Sequence, residues 1–155
     1  MSQLFLLLVA FIITGSVLHA QEDAVLRTKH FNLDKGVALS GYDAVAYIKQ
    51  NKAIKGSKEF ASKYEGITYY FAAAADRDGF SKNPAMYEPQ YGGWCAYAMG
   101  KKGEKVSIDP GTFKIVNGKL YLFYNKYFNN TLTDWNKDEA NLKAKADANW
   151  QKALH

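Results

Sequence analysis

The sequence predicts an α+β fold in which helices flank a small, mostly antiparallel sheet. A hairpin is indicated where Thr112–Val116 and Lys119–Tyr124 flank Asn117-Gly118, a pair that favours a two-residue type I′ turn. Ile67–Phe71 is rich in aromatic and β-branched residues, as strands are. The chain's last apolar residues are spaced as on one face of a helix: Trp135, Leu142, Ala146, Trp150 and Leu154. Helices at the flanks of such a sheet indicate the α+β class.

The first half of the chain predicts short elements. Val37–Leu39 leads into a turn at Ser40–Asp43, and Val45–Ile48 is a short apolar segment. Ser57 is suited to cap a short helix that continues to Tyr64.

The second half adds the clearer boundaries. Ala72–Phe80 favours a helix, and Asn83-Pro84 should end it, because the residue before a proline avoids helical geometry. Asn136 with Glu139 resembles a capping box, which predicts the start of the closing helix. The sequence shows no internal repeat and no low-complexity linker. Residues 21–155 are therefore expected to form one domain, long enough for a core without disulfides.

The N-terminus predicts export. Residues 2–18 hold a long apolar stretch, and the first charged residue is Glu22. Ala20 suits the position before a cleavage, so residues 1–20 are interpreted as a signal peptide and Gln21 as the first mature residue. The alternative is an uncleaved anchor, because the run approaches the roughly 20 apolar residues of a spanning helix. Either reading places the domain outside the cytoplasm, periplasmic or secreted, with membrane attachment only if the signal is retained.

The charge of the chain is mildly positive. The formal net charge is +5, and residues 1–20 contribute none of it. The lysines are scattered rather than arranged in one stripe, whereas nucleic-acid binding is favoured by a dense basic face. A solvated surface is expected, and nucleic acid is not an expected partner.

Cys95 is the only cysteine and lies in the aromatic, glycine-containing run Tyr91–Met99. An exported chain with one cysteine cannot form an internal disulfide. The thiol is therefore a buried packing residue, a reactive group, an intermolecular link or a soft-metal ligand. Gly92 and Gly93 allow a sharp bend before it, which either frames an aromatic ligand pocket or joins two packed elements. The pocket candidates are Trp94, Tyr97, Tyr42 and Asp43.

Several segments together carry a family resemblance. They are Gly41–Tyr47, Gly56–Phe60, Tyr64–Phe71, Asn83–Tyr97, Asp109-Pro110, Ile115–Leu122 and Ala144–Trp150. In this order they resemble the exported branch of the YHS-domain family, over nearly the whole mature chain. The run from Gln90 to Tyr97 is the most specific marker.

The resemblance implies a small metal-associated module of the kind found beside copper pumps. Metal-binding members of the family carry two cysteines, but here Asp43–Ala46 and Phe71–Ala73 have alanine where each would fall. A tetrahedral zinc site of that type therefore cannot be carried over. Cys95, which belongs to the exported branch's own motif, is the thiol that remains.

A soft-metal site is the first hypothesis for Cys95. Cu(I) prefers thiolate and thioether ligands, often with imidazole, and Met99 lies four residues after Cys95, which is one turn if that stretch is helical. His30 is a candidate third ligand. The alternatives are that Met99 and Cys95 are core residues and that His30 is on the surface. Heme or another planar ligand is a further possibility, with His30 or Cys95 as its axial ligand.

No motif of specific catalytic character is present, so a non-enzymatic protein is expected. A thiol enzyme would need a base near Cys95, for which His30 with Asp43 or Asp109 as orienter is the available combination. A carboxylate pair such as Asp43 and Asp76 is a second enzymatic alternative. A third class is an accessory domain that binds another exported protein, with Cys95 in the core or at an intermolecular contact.

Overall fold

A computed structural model describes residues 18–155 of the chain. Of the predicted signal peptide at residues 1–20, all but the last three positions lie outside these residues. Within the described range no helix combines the length and the apolar composition that a bilayer crossing requires.

The fold is α+β, as the sequence predicts. Its helices are α1 (18–30), α2 (Ala44–Gln50), α3 (Ala74–Lys82), α4 (Pro84–Tyr87), α5 (Ala96–Lys102), α6 (Thr131–Lys137) and α7 (Glu139–Ala153). Its strands are β1 (Leu33–Asp34), β2 (Val37–Ala38), β3 (Ser57–Tyr64), β4 (Ile67–Phe71), β5 (Asp109–Val116), β6 (Lys119–Phe123), β7 (Asn125–Lys126) and β8 (Asn129–Asn130). One sheet has the order β1-β2-β4-β3, in which β2 and β4 are parallel and the other pairs antiparallel. The pairs β5-β6 and β7-β8 are separate antiparallel hairpins.

The described chain contains two copies of one structural unit, so the prediction of no internal repeat is wrong. Helices α2 and α5 begin at residues 44 and 96, strands β3 and β5 at 57 and 109, and strands β4 and β6 at 67 and 119. Each element thus recurs 52 residues later. The irregularity of the hairpin recurs as well, between residues 57 and 61 and between 109 and 113. We call residues 37–72 unit 1 and residues 89–124 unit 2.

The two units share their unusual backbone geometry. Leu39–Gly41 and Tyr91–Gly93 are each three consecutive residues with positive φ, which residues other than glycine rarely adopt. Both hairpin turns end in a glycine with positive φ, Gly66 and Gly118. Identical residues are sparse between the units, which is why the sequence alone did not reveal the repeat.

Two local predictions are wrong. Ser57–Tyr64 is strand β3 rather than a capped helix, because it pairs along β4 and strand pairing overrides a weak local helix preference. Asn136 does not start the closing helix. It lies inside α6, where its side chain accepts a hydrogen bond from Lys114 Nζ (2.8 Å), and α7 begins at Glu139 after Asp138.

In residues 18–155 the apolar core forms two clusters, one on either side of α5. The first joins α2, β4 and β6 and includes Cys95. The second packs α5 against α6 and α7 and includes Met99 and Trp135. Close approach of α5 and α7 depends on Gly100, where a Cβ atom would lie 2.5 Å from the carbonyl oxygen of Leu142.

Candidate functional site

A left-handed turn presents Cys95 at the start of α5. Gly92 in this turn has φ +59°, and a Cβ there would lie 2.8 Å from the ring of Trp150, so only glycine fits. The indole N–H of Trp94 donates to the carbonyl oxygen of His30 (2.7 Å) and ties the turn to the end of α1. Cys95 follows as the residue that precedes the first turn of α5.

The sulfur of Cys95 lies in a closed hydrogen-bond arrangement. The backbone N–H of Tyr124 donates to Sγ (3.3 Å), and Sγ lies 3.4 Å from Thr131 Oγ1. The Thr131 hydroxyl donates to the Tyr124 carbonyl oxygen (2.9 Å). Sγ therefore has a backbone N–H and a hydroxyl as its polar neighbours.

A cavity of about 320 Å³ lies beside this thiol. Its wall is aromatic and apolar around Cys95, and its exposed rim is polar and mainly basic. The lining residues are Cys95, Tyr97, Ala98, Val106, Tyr124 and Thr131 in the wall, and Lys101, Lys102, Glu104 and Asn129 at the rim. Cys95 itself is 0% exposed to solvent. A ligand in the cavity therefore touches the sulfur only if a neighbouring wall side chain moves.

The repeat gives Cys95 a structural counterpart in unit 1, namely Asp43. Asp43 occupies the same position in unit 1, and its carboxylate accepts from the backbone N–H of Ala72 (2.8 Å), as Cys95 accepts from Tyr124. The carboxylate also accepts from two N–H groups in the first turn of α2, at 2.8 and 3.0 Å. Cys95 makes no such capping bond to α5. Position 95 is thus a buried acceptor site in which a thiol replaces a structural carboxylate.

Asp76, in the first turn of α3, faces Asp43 as Thr131 faces Cys95. Burial, and then the negative charge of Asp43 and a hydrogen bond with it, raise the pKa of Asp76, while nearby Lys49 lowers it. The predicted pair of Asp43 and Asp76 is therefore brought together. With Asp43 0% exposed and held by backbone donors, the pair joins α2 to α3.

The other predicted site residues lie apart from the cavity. Met99 belongs to the second core cluster and is not in the cavity wall. The ring of His30 lies on the surface with Nδ1 2.9 Å from Lys105 Nζ. Desolvation, and then the positive charge of Lys105, lower the pKa of His30. The structure thus does not bring Cys95, Met99 and His30 together.

The pocket candidates are divided between the units. Tyr97 lines the cavity, whereas Trp94 is directed to α1. Tyr42 lies in unit 1, with Lys55 Nζ 4.7 Å from the centre of its ring. Sequence reasoning missed Tyr124 and Thr131. The hairpin turn at Asn117-Gly118 brings the end of β6 back to the start of β5 at Asp109, and it gives no signal for the contact of Tyr124 with Cys95.

Over residues 18–155, no group of three or more histidine, cysteine, aspartate and glutamate side chains is arranged to hold a metal ion. Comparisons of the chain with protein-family models, with curated proteins and with solved structures found no match. The resemblance to the YHS-domain family therefore stays a prediction from the residues that carry it.

Proposed function

We propose that this protein is an exported, non-enzymatic binding module of the YHS type that holds a small ligand in the cavity beside Cys95. The observation that supports it is the position of the chain's one thiol in the wall of a cavity of about 320 Å³. The residues that line the cavity include no histidine, and a thiol nucleophile ordinarily needs a base in reach. Binding is thus a better use of this site than catalysis.

The cavity wall indicates the class of ligand. Tyr97, Val106 and Tyr124 offer aromatic and aliphatic contacts, and Lys101 and Lys102 stand at the rim with Glu104 as the acidic neighbour. Ligand pockets typically combine an apolar lining with a few polar groups that fix orientation. A flat, partly apolar anion matches this arrangement, with its apolar part against the wall beside Cys95.

Copper is a second candidate ligand, because Cys95 supplies the soft thiolate that Cu(I) prefers. Met99 and His30 lie elsewhere, so the ion would take its further ligands from a bound small molecule such as a low-molecular-weight thiol. An accessory role through an intermolecular disulfide is the remaining alternative. It requires the buried sulfur to become accessible in the complex.

The test uses Cys95 as its own reporter. Dithiobis-nitrobenzoate, an aromatic disulfide dianion, can react only at this residue, since the chain has one cysteine. Anilinonaphthalene sulfonate is the probe for the cavity. We expect anilinonaphthalene sulfonate to slow the reaction of Cys95 with dithiobis-nitrobenzoate in the wild type. The variant Ala98→Phe fills the cavity and should abolish that protection. The variant Lys101→Gln/Lys102→Gln should weaken the protection of Cys95 by the probe. The matched control Lys58→Gln/Lys63→Gln, on β3, should leave it unchanged.

If the probe binds but does not protect Cys95, the probe binds outside the cavity, and this result would contradict the proposal. A Cu(I) titration against a chromophoric chelator, with Cys95→Ser alongside, distinguishes the two ligand classes. Stoichiometric Cu(I) uptake that Cys95→Ser loses supports the metal. No uptake by the folded wild type leaves the organic anion.

A further inference from the structure

Strands β7 and β8 form a small hairpin that has no counterpart in unit 1. There, β4 ends at Phe71 and α3 begins at Ala74. After unit 2, β6 ends at Phe123 and the next helix begins only at Thr131, and the hairpin occupies the interval. The hairpin is therefore an addition to the repeated plan, placed at the rim of the cavity through Asn129.

The turn of this hairpin has an unusual composition. Tyr127 and Phe128 have φ values of 53° and 62°, the left-handed conformation that two-residue hairpin turns require and that Asn and Gly usually supply. The other hairpin turns in residues 18–155 end in glycine, at Gly36, Gly66 and Gly118. Two bulky aromatic residues in this conformation are strained, and such strain is concentrated at functional sites.

Both aromatic side chains project into solvent. Tyr127 is 89% and Phe128 111% exposed, the highest values among the exposed large apolar side chains of residues 18–155. Packing within the chain therefore does not compensate for the strain. Exposed apolar groups of this kind indicate an interaction surface.

The charges around the turn indicate what it contacts. Lys126 adjoins the aromatic pair, and Lys101 and Lys102 share the cavity rim with Asn129 of β8. The segment 124–131 contains no acidic residue, and Glu104 is the one carboxylate among the residues lining the cavity. A basic surface around exposed aromatic residues complements anionic lipid headgroups, and aromatic side chains favour the membrane–water interface.

We propose that the Tyr127–Phe128 turn docks the domain on an anionic membrane surface. The two rings enter the headgroup region, and Lys126, Lys101 and Lys102 contact lipid phosphates. This interaction is separate from the ligand of the cavity and does not depend on retention of the export signal. It would place the mouth of the cavity close to the bilayer.

The experiment is flotation of the full chain with vesicles of phosphatidylcholine, with and without a minority of phosphatidylglycerol. The key variant is Tyr127→Asn/Phe128→Gly, which gives the turn the residues that its backbone favours. We expect its thermal stability to equal or exceed that of the wild type, while flotation with anionic vesicles falls several-fold. If the double variant does not fold, Phe128→Gly alone is the replacement. Met86→Asn, at an exposed apolar residue of α4, is the matched control and should float as the wild type does.

Residues 1–17 are common to all these chains, so the difference between wild type and variant measures the contribution of the turn. Lys101→Gln/Lys102→Gln/Lys126→Gln should reduce flotation with anionic vesicles only. Equal flotation of the wild type and the folded turn variant would overturn the proposal and leave a protein partner as the occupant of this surface. Equal flotation of the wild type with neutral and anionic vesicles would also overturn it.

Discussion

Sγ of Cys95 lies 3.4 Å from the hydroxyl oxygen of Thr131, and that hydroxyl donates to the Tyr124 carbonyl oxygen. A corresponding contact joins Asp43 of unit 1 to Asp76 of α3. In both units, a residue at the start of a short helix is joined to the helix that follows the hairpin. The cavity lies beside the contact between Cys95 and Thr131.

Thr131 should stabilise the fold through its hydroxyl. Thr131→Val removes the hydroxyl that donates to the Tyr124 carbonyl oxygen and contacts the Cys95 sulfur, while the backbone N–H of residue 131 still donates to that carbonyl. We expect a loss of about 0.5–1.5 kcal/mol in the free energy of unfolding, measured by urea denaturation. Thr131→Ser, which keeps the hydroxyl, should lose much less. Similar losses for the two variants would contradict this role.

Position 95 should accept a carboxylate, if it is equivalent to position 43. In Cys95→Asp, the side chain can take the N–H of Tyr124 and also cap α5, as Asp43 caps α2. Such a cap stabilises by about 0.5–2 kcal/mol. Cys95→Asp is therefore expected to unfold at higher urea concentration than Cys95→Ala at neutral pH. The reverse order would show that the structural equivalence does not extend to this side chain.

Asp76 should make stability depend on pH in a defined direction. Its pKa is raised in the folded state, so the folded protein retains a proton that the unfolded chain loses above about pH 3.9. Stability from this group is thus lost as pH rises from that value through the folded pKa. Asp76→Asn removes the effect. Its free energy of unfolding minus that of the wild type should increase from pH 3 to pH 7, and a difference independent of pH would refute the assignment.

Gly100 should tolerate no side chain. In Gly100→Ala the added methyl group would meet the Leu142 carbonyl at 2.5 Å and force α5 away from α7. Overpacking of this kind costs about 1–3 kcal/mol. Gly79 in α3 is the matched control, because a Cβ there meets only Lys49 Nζ at 3.9 Å. Gly79→Ala should be neutral or stabilising by about 0.4–1 kcal/mol, and equal effects at both glycines in thermal unfolding would contradict the packing argument.

Local patterns in the sequence were sufficient for much of the fold. Strand β4 and the hairpin β5-β6 follow from β-branched and aromatic runs with a turn pair between them, and the end of α3 follows from Asn83-Pro84. The bend before Cys95 was indicated by its glycines. These features depend on residues that are close in sequence, so they can be predicted without knowledge of the rest of the chain.

Tertiary structure decided the site. Cys95 meets Thr131 across 36 residues of sequence, and the face of α5 that carries Met99 turns to α7 instead of to the sulfur. The equivalence of Asp43 and Cys95 became visible only through backbone geometry, because the two units keep their turns and hydrogen bonds while most side chains differ. The sequence by itself determined that one cysteine follows a glycine-containing bend. Its burial, its hydrogen-bond partners and the cavity beside it depend on which distant elements pack around it, and packing free energy is a property of the assembled fold.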